Sequence, residues 1–170
     1  MVATVKLLLN RDREAFKPFV GRGVEALLIA RSGYDVKAHV VGGIELLASD
    51  LVSLADPLSL TTSLTTKLQS CPDEATTSTS RTLSMGLTLL RTLITTTTST
   101  PTPDLSPTIT LARRCLSSRD SGVRMEAVKL CVGLHVQLGE AAFWSSLGGV
   151  SDEVKSLITY YVVKRERESV

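Results

Sequence analysis

Three apolar stripes recur along the chain at a nearly constant interval, and this constrains the fold more than any other feature. Within each stripe the apolar residues lie three or four positions apart, which places them on one face of an α-helix. Val40, Leu83 and Ala127 occupy equivalent positions, so the interval is 43 and then 44 residues. Intervals of roughly 40–47 residues are typical of HEAT or armadillo repeats, whose helical hairpins bury their apolar faces against one another. The stripes are Val36, Val40, Ile44, Leu47 and Leu51; Leu83, Leu87, Leu90 and Ile94; and Val123, Ala127, Cys131, Leu134 and Leu138.

Capping signals between the stripes predict the partner helices. Asp12 is a helix N-cap candidate, with Pro18 limiting or kinking the helix that follows. Asp56-Pro57 and Ser106-Pro107 each combine an N-cap residue with a proline in the first helical position, and Asp120 lies at or near the N-cap of the third stripe. The sequence therefore predicts an all-α fold, a right-handed HEAT-repeat solenoid of antiparallel helix pairs.

The predicted organisation is a single domain over residues 1–170. It comprises repeats over about 12–52, 56–97 and 105–139 and a closing helix over 151–167, with a flexible Thr/Pro loop at 97–105. Threonine and serine dominate residues 73–103, and β-branched threonine forms helices less readily than alanine or leucine. We therefore expect the middle hairpin to be locally the least stable.

Composition excludes several functional classes. The formal net charge is only +2, with both signs mixed along the chain, which gives no basic surface for nucleic acid. No apolar run approaches the ~18 residues of a membrane span, and no leader is apparent, so we expect a soluble intracellular protein. Cys115 and Cys131 fall within apolar helix patterns, which predicts buried, reduced thiols, and Cys71 has no close pairing partner.

No catalytic or metal-binding pattern accompanies the helices. His39 and His135 have no second ligand at metal-binding spacing, and HExxH and CxxC motifs are absent from the sequence. The glycines of Gly21-Arg22-Gly23 follow no strand and precede no Gly-Lys-Thr, so they predict close helix packing or a kink rather than a phosphate-binding loop. We expect no catalytic residues, no cofactor, no metal and no enzyme activity.

The last helix carries apolar residues on two faces. Val154, Leu157, Ile158 and Tyr161 form one face, which should close the stack, whereas Tyr160 and Val163 point roughly the opposite way. Terminal repeats normally present a polar outer face, so a second apolar face suggests a protein partner. The alternative is that this helix lies in a groove and buries both faces.

Two other segments hold candidate interaction or modification residues. Tyr34 and Arg119 belong to the turns between paired helices, an edge that HEAT arrays often use for binding, although Tyr34 could instead pack over its own hairpin. Thr100, Thr102 and Ser106 each precede a proline and are candidate sites for a proline-directed kinase. A phosphate on Ser106 would be favoured by the helix N-terminus. Ordinary turn chemistry is the alternative explanation of these three residues.

The carboxy-terminal third resembles a known family. Val123-Arg124-Met125-Glu126-Ala127-Val128, the Gly139-Glu140 turn, Trp144 with Leu147, and the helix from Lys155 through Tyr160-Tyr161 to Lys164-Arg165 are similar to the carboxy-terminal domain of CLASP proteins. That domain has a "VRKxAV" helix, a Gly-Glu turn and a closing helix of the type "KLLxLYIKR". Glu14-Ala15-Phe16-Lys17 resembles its start. The Thr-rich middle departs from the pattern and suggests a divergent, fungal member.

The resemblance implies a TOG-like, CLIP-interacting domain of a microtubule-associated protein. Its expected partners are a second copy of itself and CLIP-type, kinetochore or spindle proteins, with microtubules bound by other parts of the full-length protein and neither nucleic acid nor membrane involved. The implied location is the cytoplasm and cytoskeleton, including mitotic spindle and kinetochore, or the nucleus. Leu157, Tyr160, Tyr161 and Val163 are then the protein-binding candidates, with Tyr34 and Arg119.

Two alternatives remain open at this level. The turn edge, including Lys37 and Arg119, would bind tubulin or the microtubule lattice directly in a TOG-type domain. Only about three repeats are present where a complete TOG domain has six, and neither a tryptophan on the first turn nor a basic ladder along the turns is apparent. An unrelated HEAT scaffold is the other alternative.

Overall fold

The chain folds as packed helices. A computed structural model describes residues 2–33, 38–72, 76–96 and 104–168, and every regular element within those ranges is helical. This confirms the all-α prediction. The α-helices are α1 (Val2–Arg11), α2 (Arg13–Phe16), α3 (Val20–Gly33), α4 (Ala38–Val52), α5 (Pro57–Gln69), α6 (Thr77–Thr96), α7 (Ser106–Leu116), α8 (Ser121–Leu138), α9 (Glu140–Leu147) and α10 (Asp152–Glu168).

Successive helices pack in pairs, and the pairs stack. α3 packs on α4, α5 on α6 and α7 on α8, while α4, α6, α8 and α10 contact one another in that order. On the other side of the stack α5 contacts α7 and α7 contacts α9. Two rows of helices with a core between them are the arrangement of an α-solenoid. The assignment of these pairs to HEAT repeats, with the boundaries given above, stays a prediction.

Helix starts follow the capping residues at two of the predicted positions. The Asp56 carboxylate accepts a hydrogen bond from the amide of Ser59 at 2.9 Å, with Pro57 in the first helical position. The Asp120 carboxylate accepts from the amide of Val123 at 3.0 Å. Each bond satisfies an amide that the first helical turn leaves without an intrahelical partner. These two caps fix where α5 and α8 begin.

The prediction that Ser106 caps α7 is wrong by one residue. Leu105 is the N-cap, and Ser106 already lies in the helix. The Asp104 carboxylate accepts a hydrogen bond from the amide of Ser106 at 2.9 Å, while the Leu105 side chain is buried in the core. Burial of Leu105 explains the shift, because it fixes Leu105 at the N-cap and leaves Ser106 and Pro107 in the first turn of α7. The rest of the predicted 97–105 loop, residues 97–103, lies outside the described residues.

Pro18 interrupts the first predicted helix. Asp12 caps α2 by accepting from the amide of Ala15 at 3.1 Å, as predicted. A 3₁₀ turn at Lys17–Phe19 then separates α2 from α3. Proline lacks the amide proton that an α-helix interior requires, so the tighter turn carries the chain past it.

The Thr-rich segment forms α6, the longest described helix. Leu87, Leu90 and Leu93 are fully buried, so the apolar stripe holds the helix in the centre of the stack. Threonines of α6 donate their hydroxyl protons to carbonyl oxygens one turn earlier, as the half-buried Thr92 does to Thr88 and the exposed Thr96 to Thr92. Apolar burial therefore overrides the moderate helix propensity of threonine. That this hairpin is locally the least stable stays a prediction.

Two helices, α1 and α9, were not predicted from the sequence. Leu9 of α1 is buried, and α1 packs against α4. α9 follows Gly139, whose φ of 78° lies in the left-handed region that favours glycine. Phe143 and Leu147 of α9 are completely buried. α9 thus covers the end of the α7–α8 pair, in a segment to which the sequence analysis assigned no element.

Polar contacts join α5 to α7. The Arg114 guanidinium donates to the carbonyl oxygens of Leu68 at 2.8 Å, Gln69 at 2.9 Å and Cys71 at 3.4 Å, at the carboxyl end of α5. A cation there also meets the negative end of the helix dipole. The hydroxyls of Thr65 and Thr108 share a buried hydrogen bond of 3.0 Å. We call these contacts the α5–α7 clasp.

We expect Arg114→Ala to lower the free energy of unfolding by about 2 kcal/mol, because it removes charge-assisted hydrogen bonds to three carbonyls. Urea denaturation of the purified chain measures the change. Arg113→Ala is the matched control: Arg113 is the neighbouring, exposed residue, and its loss should cost less than about 0.5 kcal/mol. Equal effects of the two substitutions would show that the clasp contributes nothing specific.

Candidate interaction surface on the last helix

α10 begins and ends with charges that suit the helix dipole. Asp152 and Glu153 lie in its first turn, and Arg165 and Arg167 lie in its last turn. Lys155 pairs with Asp152 at 3.1 Å, one turn along the helix. α10 packs against α8. One side of α10 is thus fixed on the stack and the other side is left for solvent.

The side of α10 that packs on the stack differs from the predicted one by one residue. Ile158 and Val162 are buried, while Val154 and Tyr161 pack partly against the core. The prediction that Leu157 belongs to this packing face is wrong, because the Leu157 side chain is 40% exposed. Val162 takes its place, one turn after Ile158, and this rotates the helix so that Leu157 turns outward.

Leu157, Tyr160 and Val163 together form an apolar surface that we call the outer stripe. Tyr160 is 61% exposed and Val163 is 38% exposed. A spacing of three residues places each beside the next on the helix surface. The Tyr160 ring meets the ring of Tyr161 edge to face, with centroids 5.3 Å apart, so its position is partly fixed. The outer stripe contains three of the four protein-binding candidates that the sequence placed on this helix. Tyr161, the fourth, packs partly into the core.

A basic cleft lies between α6, α8 and α10 and was not predicted from the sequence. Its volume is about 540 Å³. Four cations line it, together with one carboxylate, two threonines, a tyrosine and a valine: Arg91, Lys129, Lys164, Arg165, Glu168, Thr92, Thr95, Tyr161 and Val132. The cations are spread over 75 positions of sequence. No local pattern could therefore have revealed the cleft.

No described contact joins the turn candidates, Tyr34 and Arg119, to the outer stripe. Tyr34 lies outside the described residues. Arg119 is exposed, and its carbonyl oxygen accepts a hydrogen bond from the Arg124 guanidinium at 3.0 Å. Arg124 also donates to the carbonyl of Ser118 at 2.8 Å, so it stabilises the turn between α7 and α8. A binding role for Tyr34 or Arg119 stays a prediction.

Ser106 is exposed at the start of α7, whereas Thr100 and Thr102 lie outside the described residues. Hydrogen bonds from the Ser106 hydroxyl and amide hold the pKa of the Asp104 carboxyl below its usual value. A phosphate on Ser106 would therefore meet a negative neighbour as well as the helix N-terminus. Modification of the three residues stays a prediction.

His135, Cys115 and Cys131 pack within the fold. His135 packs edge to face on Phe143, with ring centroids 5.5 Å apart, and His39 is exposed. Cys115 and Cys131 are buried and form no disulfide bond, as predicted, and burial raises the pKa of Cys131 to about 12. The Cys131 thiol is therefore protonated at neutral pH and is a poor nucleophile.

Among the described residues, no group of three or more His, Cys, Asp or Glu side chains is arranged to hold a metal ion. Within the same part of the chain, no helix combines the length and apolar character needed to cross a membrane.

Comparison with known proteins gives consistent matches over almost the whole chain. Protein STU1 of Gibberella zeae is 49% identical over 175 residues, which cover 99% of this chain. The chain is similar to a segment of STU1. Protein stu-1 of Neurospora crassa and Protein STU1 of Chaetomium globosum are each 43% identical, again over 99% of the chain.

The matched segment is a small part of each relative. The chain covers 15% of the Gibberella zeae protein and 16% of each of the other two. The similarity therefore relates this chain to one segment of proteins named STU1. No protein-family model and no solved structure matches the chain.

Proposed function

We propose that this chain is a non-enzymatic protein-interaction and homodimerisation module of a CLASP-like microtubule regulator. It docks that regulator to spindle, kinetochore or plus-end partners, and the full-length protein acts at the cytoskeleton. The observation that carries the proposal is the outer stripe: three neighbouring apolar side chains exposed on the last described helix. Apolar surface of this kind on a terminal helix favours a protein partner.

The resemblance to CLASP proteins supports the microtubule part of this proposal. Most of the residues that resemble the CLASP carboxy-terminal domain fall in α8, α9 and α10, and several of them are core residues. Val123 and Ala127 are completely buried in α8, and Leu147 is completely buried in α9. The resemblance therefore rests on the packing of the last three helices, which is what positions the outer stripe.

A dimer through α10 would place two copies of the outer stripe against each other about a two-fold axis. In such an arrangement Tyr160 of one protomer can contact Val163 of its partner, and the reverse contact follows by symmetry. A stable interface buries roughly 800 Å² on each partner, more than three side chains supply. Polar residues that flank the stripe on α10 would form the rim. Dimerisation would then let weak microtubule-binding modules elsewhere act together.

The test is the absolute mass of the purified chain by light scattering across a concentration series. We expect a mass near twice 18.3 kDa, and Tyr160→Glu/Val163→Glu should shift it to the monomer value. The substitutions would place four carboxylates, two from each protomer, in the interface, where they would repel one another and lose hydration, so the dissociation constant should rise at least about a hundredfold.

Ile29→Glu/Leu46→Glu is the matched control. Both residues are well exposed apolar side chains, on α3 and α4, and the double substitution adds the same charge far from α10 in sequence. It should leave the mass unchanged. Self-association that survives the α10 substitutions would contradict the proposed surface. A monomeric wild-type chain would contradict homodimerisation itself and would leave docking of a different protein.

A further inference from the structure

We propose that the basic cleft between α6, α8 and α10 binds an acidic, extended segment of another protein. The outer stripe does not contribute to this cleft, so the inference does not depend on dimerisation. Four cations and one carboxylate line the cleft, a local excess of three positive charges. The whole chain, with 19 basic and 17 acidic residues, has a formal net charge of only +2. The local excess is larger than the net charge of the whole chain, and the positive charge of this site favours an anionic ligand.

Arg91 is a partly desolvated cation of the cleft. Its side chain is half-buried, and its Nε is enclosed with no hydrogen-bond acceptor anywhere in the described part of the chain. A partly desolvated guanidinium without full hydrogen bonding is costly, and an anion at its outer nitrogens offsets part of that cost. The aliphatic part of Arg91 lies beside Gly133 of α8, and its Cγ would be 3.7 Å from a Cβ atom placed there.

Both lysines of the cleft already contact carboxylates. The Lys129 amino group lies 2.6 Å from a carboxylate oxygen of Glu126, and that of Lys164 lies 3.9 Å from Glu168. The second pair is long and exposed, so an incoming carboxylate can displace Glu168 at little cost. The Lys164 amino group is therefore available to an acidic ligand, whereas Lys129 must share its charge with Glu126.

The threonines of the cleft line its wall but offer no free hydroxyl proton to a ligand. The hydroxyl of Thr92 donates to the carbonyl of Thr88, and that of Thr95 donates to the carbonyl of Arg91. Their protons are thus engaged within α6. Val132 and the ring of Tyr161 give the cleft an apolar part that suits the aliphatic atoms of a peptide. Recognition therefore depends on the cations.

The distribution of these cations favours a peptide with several carboxylates over a single compact anion. Arg91 comes from α6, Lys129 from α8, and Lys164 and Arg165 from α10. The volume of about 540 Å³ is within the range of roughly 300–1,000 Å³ that holds several side chains. A strand of glutamates or aspartates can present one carboxylate to each helix.

The experiment is titration of the full chain into a fluorescein-labelled peptide of eight glutamates, followed by fluorescence anisotropy at low and physiological salt. A peptide of eight glutamines is the neutral reference. We expect binding of the glutamate peptide only, weakened by salt. Lys164→Gln should weaken it severalfold and Arg91→Gln/Lys164→Gln at least about tenfold.

Lys155→Gln is the matched control. Lys155 lies on the same helix, its side chain is 50% exposed against 51% for Lys164, and it also pairs with a carboxylate of α10. It does not line the cleft. Affinity for the glutamate peptide should stay within about twofold, because the loss of one distant surface charge is largely screened. Since Lys164 is exposed, its substitution should leave the thermal unfolding of the chain unchanged.

Three results would overturn the inference: no binding of the glutamate peptide at low salt, equal weakening by Lys155→Gln and Lys164→Gln, or complete competition by inorganic phosphate at the concentration of the peptide. Tighter binding of an eight-nucleotide thymidine strand, with the same sensitivity to Lys164→Gln, would assign the cleft to nucleic acid instead. The peptide is titrated separately from the light-scattering series, so failure of this inference and failure of dimerisation are distinguishable.

Discussion

Phe143→Ala should lower the free energy of unfolding by about 3–5 kcal/mol, the largest effect that we expect from any single substitution considered. The Phe143 side chain is completely buried. Its ring meets those of Trp144 and His135 edge to face, with centroid distances of 5.0 and 5.5 Å. The substitution therefore removes apolar contacts, leaves a cavity and breaks two aromatic contacts. Urea denaturation followed by circular dichroism measures the loss.

Phe19→Ala provides the comparison for this prediction. Phe19 is 57% exposed in the 3₁₀ turn before α3. The same chemical change there should cost less than about 1 kcal/mol, since little apolar surface returns to water. A similar loss at both positions would mean that α9 does not pack on the α7–α8 pair as described.

Gly86→Ala should lower the free energy of unfolding by about 1–3 kcal/mol, although alanine is the better helix former by about 1 kcal/mol. A Cβ atom at Gly86 would lie 2.5 and 2.6 Å from the two methyl carbons of Leu68 and 3.0 Å from its Cγ. Leu68 is completely buried in α5, so its side chain can shift only by rearranging a packed core. The expected result is a wider separation of α5 and α6 and a lower melting temperature.

Gly42→Ala is the control with the opposite expected sign. Nothing lies within 4 Å of a Cβ placed at Gly42 in α4. The substitution should therefore stabilise the chain by about 0.5–1 kcal/mol through helix propensity alone. A stabilising Gly86→Ala would contradict the close approach of α5 and α6.

The parts of the fold that the sequence predicted are those with strong local signals. Asp56 and Asp120 mark the starts of α5 and α8 because an aspartate cap and an apolar stripe agree there. α9 has only eight residues and follows a glycine, too short for a helical period to be recognised. The start of α7 differs from the predicted one because Leu105 is buried. Burial is a tertiary effect, so a rule based on capping residues could not predict it.

The candidate site was only partly predictable for a related reason. Apolar residues surround most of α10, so the sequence allows more than one choice of buried face. Packing against α8 selects Ile158 and Val162 and turns Leu157 outward. The basic cleft was beyond sequence reasoning altogether, since Arg91 and Lys164 become neighbours only when α6, α8 and α10 stack.

The α5–α7 clasp has a mechanical consequence. In a stacked helical array, bending changes the spacing of neighbouring helices, as in a spring. Arg114 holds the carboxyl end of α5 through three carbonyls, and the buried Thr65–Thr108 bond joins α5 to the first turn of α7. Bending at this joint must break several hydrogen bonds at once. We therefore expect tension applied along the stack to leave the spacing of α5 and α7 unchanged. Other helix pairs of the array would separate first.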